Sequence, residues 1–512
     1  MSATFLFSFV IGYFILLLFV AYLTSRNSNN ESFFIGNRSS NWLLVAFGMI
    51  GTSLSGVTFV SVPGTVGSAG FGYFQVVIGY LFGYAVIAYV LLPLYYKMNL
   101  TSIYNYLEHR FGIVSYKTGA LFFIISRILG ATARLFLVIN VMQLFILTKL
   151  HIPFAVTTFV ILLMILLYTV EGGVKTIVFT DTLQTSFMLL GLIVCITYIL
   201  KSTGLGLGGA FQQMHKLDLT RVFNFDVNSP AYFLKHILGG AFIAIGMTGL
   251  DQEMMQKNIS VKTLRDSQKN ILTFSITMAV VNFLFLLLGG LLFLFATSNN
   301  ITVSPDDLFP TVALQYMPSV VSIIFIIGLI SALFPSADGA LTALTSSFCI
   351  DIIGLKRRPD LDEKQRKRIR VGVHLCFAVI FFLMVMIFKW IDNKSIIDVI
   401  LKIAGFTYGP LLGLFAFGIL TKRKIHDRAS LYVCLAAPLI ILALDFVNNL
   451  GWYQKQWHLS GPFISFMAKF SDSVFGNFKI GYELLIYNGL LTFLGLYMIS
   501  RKPEISVANQ SV

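Results

Sequence analysis

Apolar runs long enough to cross a bilayer recur along this chain from one end to the other. A hydrocarbon core of about 30 Å calls for roughly 20 residues of helix. Thirteen candidate spans stand near residues 4–24, 41–65, 71–95, 118–148, 153–170, 177–200, 233–250, 270–297, 319–349, 371–391, 396–420, 429–447 and 482–500. The stretches between them are too short for a soluble domain, so residues 1–512 are expected to form a single transmembrane domain. Only 12% of the residues are charged and 56% are hydrophobic, where a soluble domain carries about 25% charged residues. The expected class is an all-α membrane protein. The first run has no basic leading segment and no small-residue cleavage site, so it is a retained span rather than a signal peptide.

Lys and Arg collect on cytoplasmic loops, and most of the 37 basic residues fall on one parity of loops. They are Arg26, Arg38, Lys97, Arg110, Lys117, Lys175, Lys257, Lys262, Arg265, Lys269, the run from Lys356 to Arg370, Lys422 to Arg428, and Arg501 with Lys502. This asymmetry places the N-terminus outside and the C-terminus in the cytoplasm, as in a bacterial inner membrane. It also absorbs the net charge of +14, so no nucleic-acid partner is expected. Cys195, Cys349, Cys376 and Cys434 lie singly in apolar runs, without disulfide or metal spacing, and are expected to act as small core residues.

The second span, from Gly51 to Gly67, holds Thr52, Ser53, Ser55, Thr58, Ser61, Pro63 and Thr65. Irregular backbone at membrane depth survives only where protein buries it or a cavity lines it. The seventh span has a weaker version, with Gly239, Gly240, Gly246, Thr248 and Gly249 leading into Asp251. Each interrupted span then opens a five-helix unit, residues 41–200 and 233–420, with 4–24 and 421–500 peripheral. A unit with an odd number of spans inverts when repeated, and a 5+5 inverted repeat places its binding site at the midplane between broken helices.

Charges at bilayer depth cost roughly 2.5–3.5 kcal/mol each on insertion scales and usually face a cavity or a partner. Arg127 and Arg134 are seven residues apart, which puts both on one helix face. Their anionic partners are either Asp181 and Asp338 or a carboxylate or phosphate on a solute. In the ninth span Pro335 cannot donate a backbone hydrogen bond, which frees the Ser331 carbonyl. Ser331, Pro335, Asp338 and Thr342 share a stripe beside Ala332 and Ser336. Such carbonyls, hydroxyls and a carboxylate suit a hard monovalent cation.

Four stretches resemble the sodium:solute symporter family: Tyr106-Leu-Glu-His-Arg-Phe-Gly112, the segment from Gly172 to Gln184, Asp251-Gln-Glu-Met-Met-Gln-Lys257, and Tyr408-Gly-Pro-Leu-Leu-Gly-Leu-Phe415. Their order covers nearly the whole chain. The resemblance implies about 13 transmembrane helices with a leucine-transporter-like core of ten, alternating access, and Na⁺ as coupling ion with no further cofactor. It implies a sodium site from the carbonyls of Gly51, Leu54 and Ala332 with Ser336. Pro335 stands where a further hydroxyl is usual. A second site known in some members carries over to Asp181, with Asp338 and Gly339 at serine positions, so proton coupling stays open beside Na⁺. Solute-facing hydroxyls correspond to Ser53, Ser55 and Thr58. The arginine that binds carboxylate in sialic-acid carriers falls at Gly130, between Arg127 and Arg134.

The expected function is Na⁺-coupled symport of a small carboxylate-bearing solute by a monomer in the lipid bilayer. A proton-coupled or sugar-carrying symporter of the same fold is the alternative. A membrane-embedded enzyme is less well supported, because no H-x-x-x-D, H-E-x-x-H or P-loop pattern occurs.

Overall fold

The computed structural model describes residues 3–25, 40–391 and 396–502, with all their side chains except those of 3, 25, 170–175, 356, 391, 396–398, 456 and 457. Arg26 and Arg38, and the side chains of Lys175 and Lys356, therefore lie outside the described residues. Fourteen helical segments make the bundle: α1 Ala3–Ser25, α2 Trp42–Ala69, α3 Phe74–Lys97, α4 Ile113–Leu150, α5 Phe154–Ser202, α6 Phe233–Gly249, α7 Gln252–Ile259, α8 Leu264–Ser298, α9 Ser319–Ile352, α10 Glu363–Ile391, α11 Ile396–Thr407, α12 Gly409–Leu420, α13 Asp427–Asn448 and α14 Leu484–Met498. Nine helices among the described residues are long and apolar enough to cross a membrane. The bent pairs α6–α7 and α11–α12 each have the length of one crossing. Phe154–Thr169 and Leu484–Met498 are shorter apolar helices.

Two boundaries differ from the sequence expectation. A connection was expected between the fifth and sixth spans, but backbone from Phe154 to Ser202 is a single helical element. It contains no proline, and its glycines at 172 and 173 weaken a helix by about 1 kcal/mol each without ending it. The seventh crossing was expected to finish near residue 250, yet α7 continues it at an angle of 64°. Gln252, Glu253, Gln256, Lys257 and Asn258 make α7 look like a loop in sequence, and all of them are buried. Lys257, counted above among the cytoplasmic loop residues, is thus a core residue at 3% exposure.

The core sits around α2, which is buried over most of its length and packs against α5, α8 and α9. Asn41 caps its start by accepting from the Leu43 N–H at 2.9 Å, and Gly70 ends it with φ of 57°. Outward faces remain apolar: Phe19, Phe82, Leu167 and Val379 are all more than half exposed, as lipid-facing residues should be. Cys195, Cys349 and Cys434 are buried, whereas Cys376 is exposed on α10 and is not a core residue.

Close backbone approach fixes the α3–α6 crossing. A Cβ at Gly240 would collide with the Val76 carbonyl, and one at Gly79 with the Ile237 carbonyl. Gly130 on α4, by contrast, has nothing within 4 Å of its Cβ position. Overpacking usually costs about 1–3 kcal/mol, and here the obstacle is backbone, which cannot rotate away. Gly240→Val is expected to lower the thermal unfolding midpoint in detergent sharply, while Gly130→Ala leaves it unchanged or slightly higher. Equal midpoints for the two variants would contradict this packing account.

Candidate functional site

The interruption of α2 falls at Ser55, whose φ of 41° and ψ of 171° lie outside the helical region. Pro63, the stronger breaker in sequence, sits inside the second half of the helix instead. The first half therefore ends at Leu54. Helix ends are where carbonyls run short of intrahelical partners, and the turn before this break is Gly51, Thr52, Ser53 and Leu54. They carry the negative end of the half-helix dipole, while the amides that open the second half carry the positive end.

The break between α6 and α7 is treated differently. Tyr95 donates to the Gly249 carbonyl at 2.8 Å, and Tyr104 donates to the Leu250 carbonyl at 3.0 Å. Asp251 caps α7 by accepting from the Glu253 and Met254 N–H groups at 3.0 and 3.2 Å. Its other oxygen accepts from the Tyr408 hydroxyl at 2.7 Å, at the hinge between α11 and α12. Among the described residues no side chain donates to the Gly51 or Leu54 carbonyl. The second break is closed by tyrosines, and no side chain among the described residues takes that place at the first.

Buried charges crowd between the two breaks. Arg127 pairs with Glu253 and lies 3.6 Å from Asp251. Lys257 donates to Asp181 at 2.7 Å and to the Thr52 hydroxyl at 2.6 Å, and it approaches Glu253 at 3.8 Å. The Thr52 hydroxyl donates in turn to Asp181 at 3.2 Å. Asp338 accepts from the Tyr168 hydroxyl at 2.8 Å and from the Gly339 N–H at 2.5 Å. Asp181 and Asp338 were offered as partners for the two arginines, and this is corrected: Arg127 uses Glu253 and Asp251, because α7 folds back into the bundle. Asp181 was also expected to face a sodium ion directly, yet one of its oxygens is held by Lys257 and Thr52.

The expected ligands of the main cation site lie on elements that meet. Gly51, Leu54, Ala332, Pro335 and Ser336 are all buried, on α2 and α9. A Cβ at Gly51 would stand 3.5 Å from Pro335 Cγ and would strike the Thr185 hydroxyl oxygen. That hydroxyl, one turn beyond Asp181 on α5, is buried with no hydrogen-bond partner. Sequence reasoning passed over Thr185, although its four-residue spacing from Asp181 was available. It also missed Lys257, Glu253 and Tyr168.

A cavity of about 80 Å³ opens at the α2 break. Ser53, Ser55 and Thr58 line it as expected, together with Thr52, Arg127 and Arg134. Tyr73, Tyr80 and Tyr84 come from the α3 side, and Ile243, Met247, Met254, Met278, Ile400 and Leu401 make it largely apolar elsewhere. Tyr73 and Tyr80 share a hydroxyl contact of 3.2 Å. The two arginines differ in kind. Arg127 is matched by acids, whereas Arg134, 9% exposed, has no ion pair or hydrogen bond among the described residues.

The sodium:solute symporter family model matches residues 33–431. The chain is 24% identical over 449 residues to the sodium/sialic acid symporter NanT of Aliivibrio fischeri, covering 84% of this chain and 86% of that protein. It is 26% identical over 416 residues to the sodium-coupled monocarboxylate transporter 1 of Xenopus laevis, covering 79% of this chain and 65% of that one. In fold it is similar to a Na⁺-coupled sialic acid symporter solved in a substrate-bound outward-open state, with a TM-score of 0.79 at 18% identity over 96% of this chain and 97% of the other. The broken helices, the crossing charges at their ends and the match over most of its length agree that this chain belongs to the sodium:solute symporter family.

Proposed function

We propose that the chain is a secondary active transporter that moves Na⁺ and a short-chain monocarboxylate together by alternating access. The observation that carries this reading is Arg134, a buried cation on the cavity wall with no acid of its own. A buried charge needs a counter-charge, and a solute carboxylate supplies one through two parallel hydrogen bonds. Arg127 is a positioning residue in this scheme, holding α7 to α4 through Glu253 and Asp251. The half-helix amides after Ser55, with the hydroxyls of Ser53, Ser55 and Thr58, offer further donors to the carboxylate. The apolar walls receive its hydrocarbon end.

Size supports the short acid over a sugar acid. A water needs roughly 10–15 Å³, so a cavity of about 80 Å³ has room for a small solute only. The Na⁺ ligands in this reading are the Gly51, Leu54 and Ala332 carbonyls and the Ser336 hydroxyl, at the negative end of the first half-helix. Thr185 supplies the hydroxyl that Pro335 cannot. Thirteen crossings, an external N-terminus, a cytoplasmic C-terminus, two inverted units over 41–200 and 233–420, a bacterial inner-membrane location and a monomer complete the proposal.

In proteoliposomes, an inward Na⁺ gradient is expected to drive uptake of a labelled two- to four-carbon monocarboxylate, and such acids should raise the thermal midpoint only with Na⁺ present. Stabilisation by neutral sugars or amino acids alone would sink the assignment. Arg134→Gln should weaken apparent solute affinity about 10- to 100-fold, as expected for a charge-assisted bond of about 1.5–3 kcal/mol, with folded yield unchanged. Arg127→Gln should instead reduce folded yield, since unpairing buried acids costs about 3–5 kcal/mol. The reverse pattern would exchange their roles. Thr185→Val should raise the half-saturating Na⁺ concentration several-fold without altering solute affinity at saturating Na⁺; an unchanged Na⁺ requirement would remove Thr185 from the site.

A further inference from the structure

We propose that the ammonium of Lys257 is a tethered cation that permanently fills the Asp181 pocket, so that a single Na⁺ accompanies each solute. The proposal rests on the Na⁺-coupled reading above. Lys257 Nζ is 2.7 Å from Asp181 Oδ2, 2.6 Å from Thr52 Oγ1 and 3.8 Å from Glu253 Oε1. Three oxygens, two of them from carboxylates, thus surround one point at which a small monovalent cation could equally stand. The side chain that occupies it is 3% exposed and comes from α7, the half-helix that the bend at Asp251 turns into the bundle.

The neighbourhood is shaped around that occupant. A Cβ at Gly339 would collide with Glu253 Oε1, so the backbone of α9 is bare where the Glu253 carboxylate presses against it. A side chain carrying a hydroxyl at 339 would displace the acid that Arg127 and Lys257 share. Asp181 Oδ1 and Glu253 Oε1 are both buried without a hydrogen bond. The pocket therefore retains unspent acceptor capacity, with Lys257 the cation on Asp181 and Arg127 and Lys257 together facing Glu253. Thr52 ties it to the solute side, since the same residue lines the cavity and bonds both Lys257 and Asp181.

Removing the amine while keeping the acids should convert the pocket into a site for a free ion. For the wild-type protein, reversal-potential measurement in proteoliposomes is expected to give one Na⁺ per monocarboxylate, and Na⁺ titration of the thermal midpoint a Hill coefficient near one. In Lys257→Ala the Hill coefficient should rise towards two and the half-saturating Na⁺ should increase several-fold. Where that variant does not fold, the double variant Asp181→Asn with Lys257→Ala removes both charges and should return a Hill coefficient near one. Two Na⁺ per solute in the wild type, or a folded Lys257→Ala with unchanged Na⁺ dependence, would overturn the tethered-cation assignment. Loss of Na⁺ dependence altogether would strike the transport reading instead, so the two failures are distinguishable.

Discussion

A helix interrupted in hydrocarbon exposes backbone groups that no lipid can satisfy. The centre of this protein follows from that constraint, because two of the interrupted crossings among the described residues, α2 and α6–α7, meet there and are resolved in opposite ways. At Asp251 the freed carbonyls receive tyrosine hydroxyls from Tyr95 and Tyr104, and the freed amides receive an aspartate. At Ser55 the carbonyls of the preceding turn have no side-chain donor among the described residues, and the hydroxyls around them line a cavity. One break is closed by side chains; the other borders the cavity.

The charges follow the same division. The closed break brings α7 into the bundle, and α7 carries an acid and a base one turn apart, Glu253 and Lys257. Glu253 neutralises Arg127 on α4, and Lys257 neutralises Asp181 on α5. These pairs clamp α7 to α4, which lines the cavity, and to α5 behind it. Burying an ion pair is weak evidence for stability, since an apolar replacement of similar shape is often as stable. Their location beside the cavity fits a role in the proposed transport cycle better than one in folding energy.

Much of this was legible in sequence, and the part that was not has a physical cause. Glycine and hydroxyl enrichment located the α2 break to within the span, but Pro63 drew attention away from Ser55, because a proline tolerated in a helix leaves the same composition as one that ends it. The ten or so residues from Asp251 to Ile259 look like a loop, being polar and basic. In a membrane protein, polarity normally means exposure to water; here it means burial against other polar groups. That inversion hid Lys257 among the orientation charges and sent the search for partners of Arg127 to Asp181 and Asp338. Long-range pairings such as Tyr168 with Asp338 carry no sequence period at all, so only the fold reveals them.

Glu253 and Thr52 give coupling a material basis. Glu253 divides its carboxylate between Arg127, which lines the cavity, and Lys257, which sits in the Asp181 pocket. Thr52 belongs to the turn proposed above to face the cation, and its side chain bonds the lysine and the aspartate. In the transport reading proposed above, a cation at the end of the first half-helix acts on the same turn that positions Thr52, and a carboxylate at Arg134 acts on the helix whose Arg127 holds Glu253. Each ligand in that reading acts on an element tied to the same buried charges, and any resulting change in affinity is reciprocal by the same factor. Coupling in that reading runs through α2 and α4, which the charges of α7 already join.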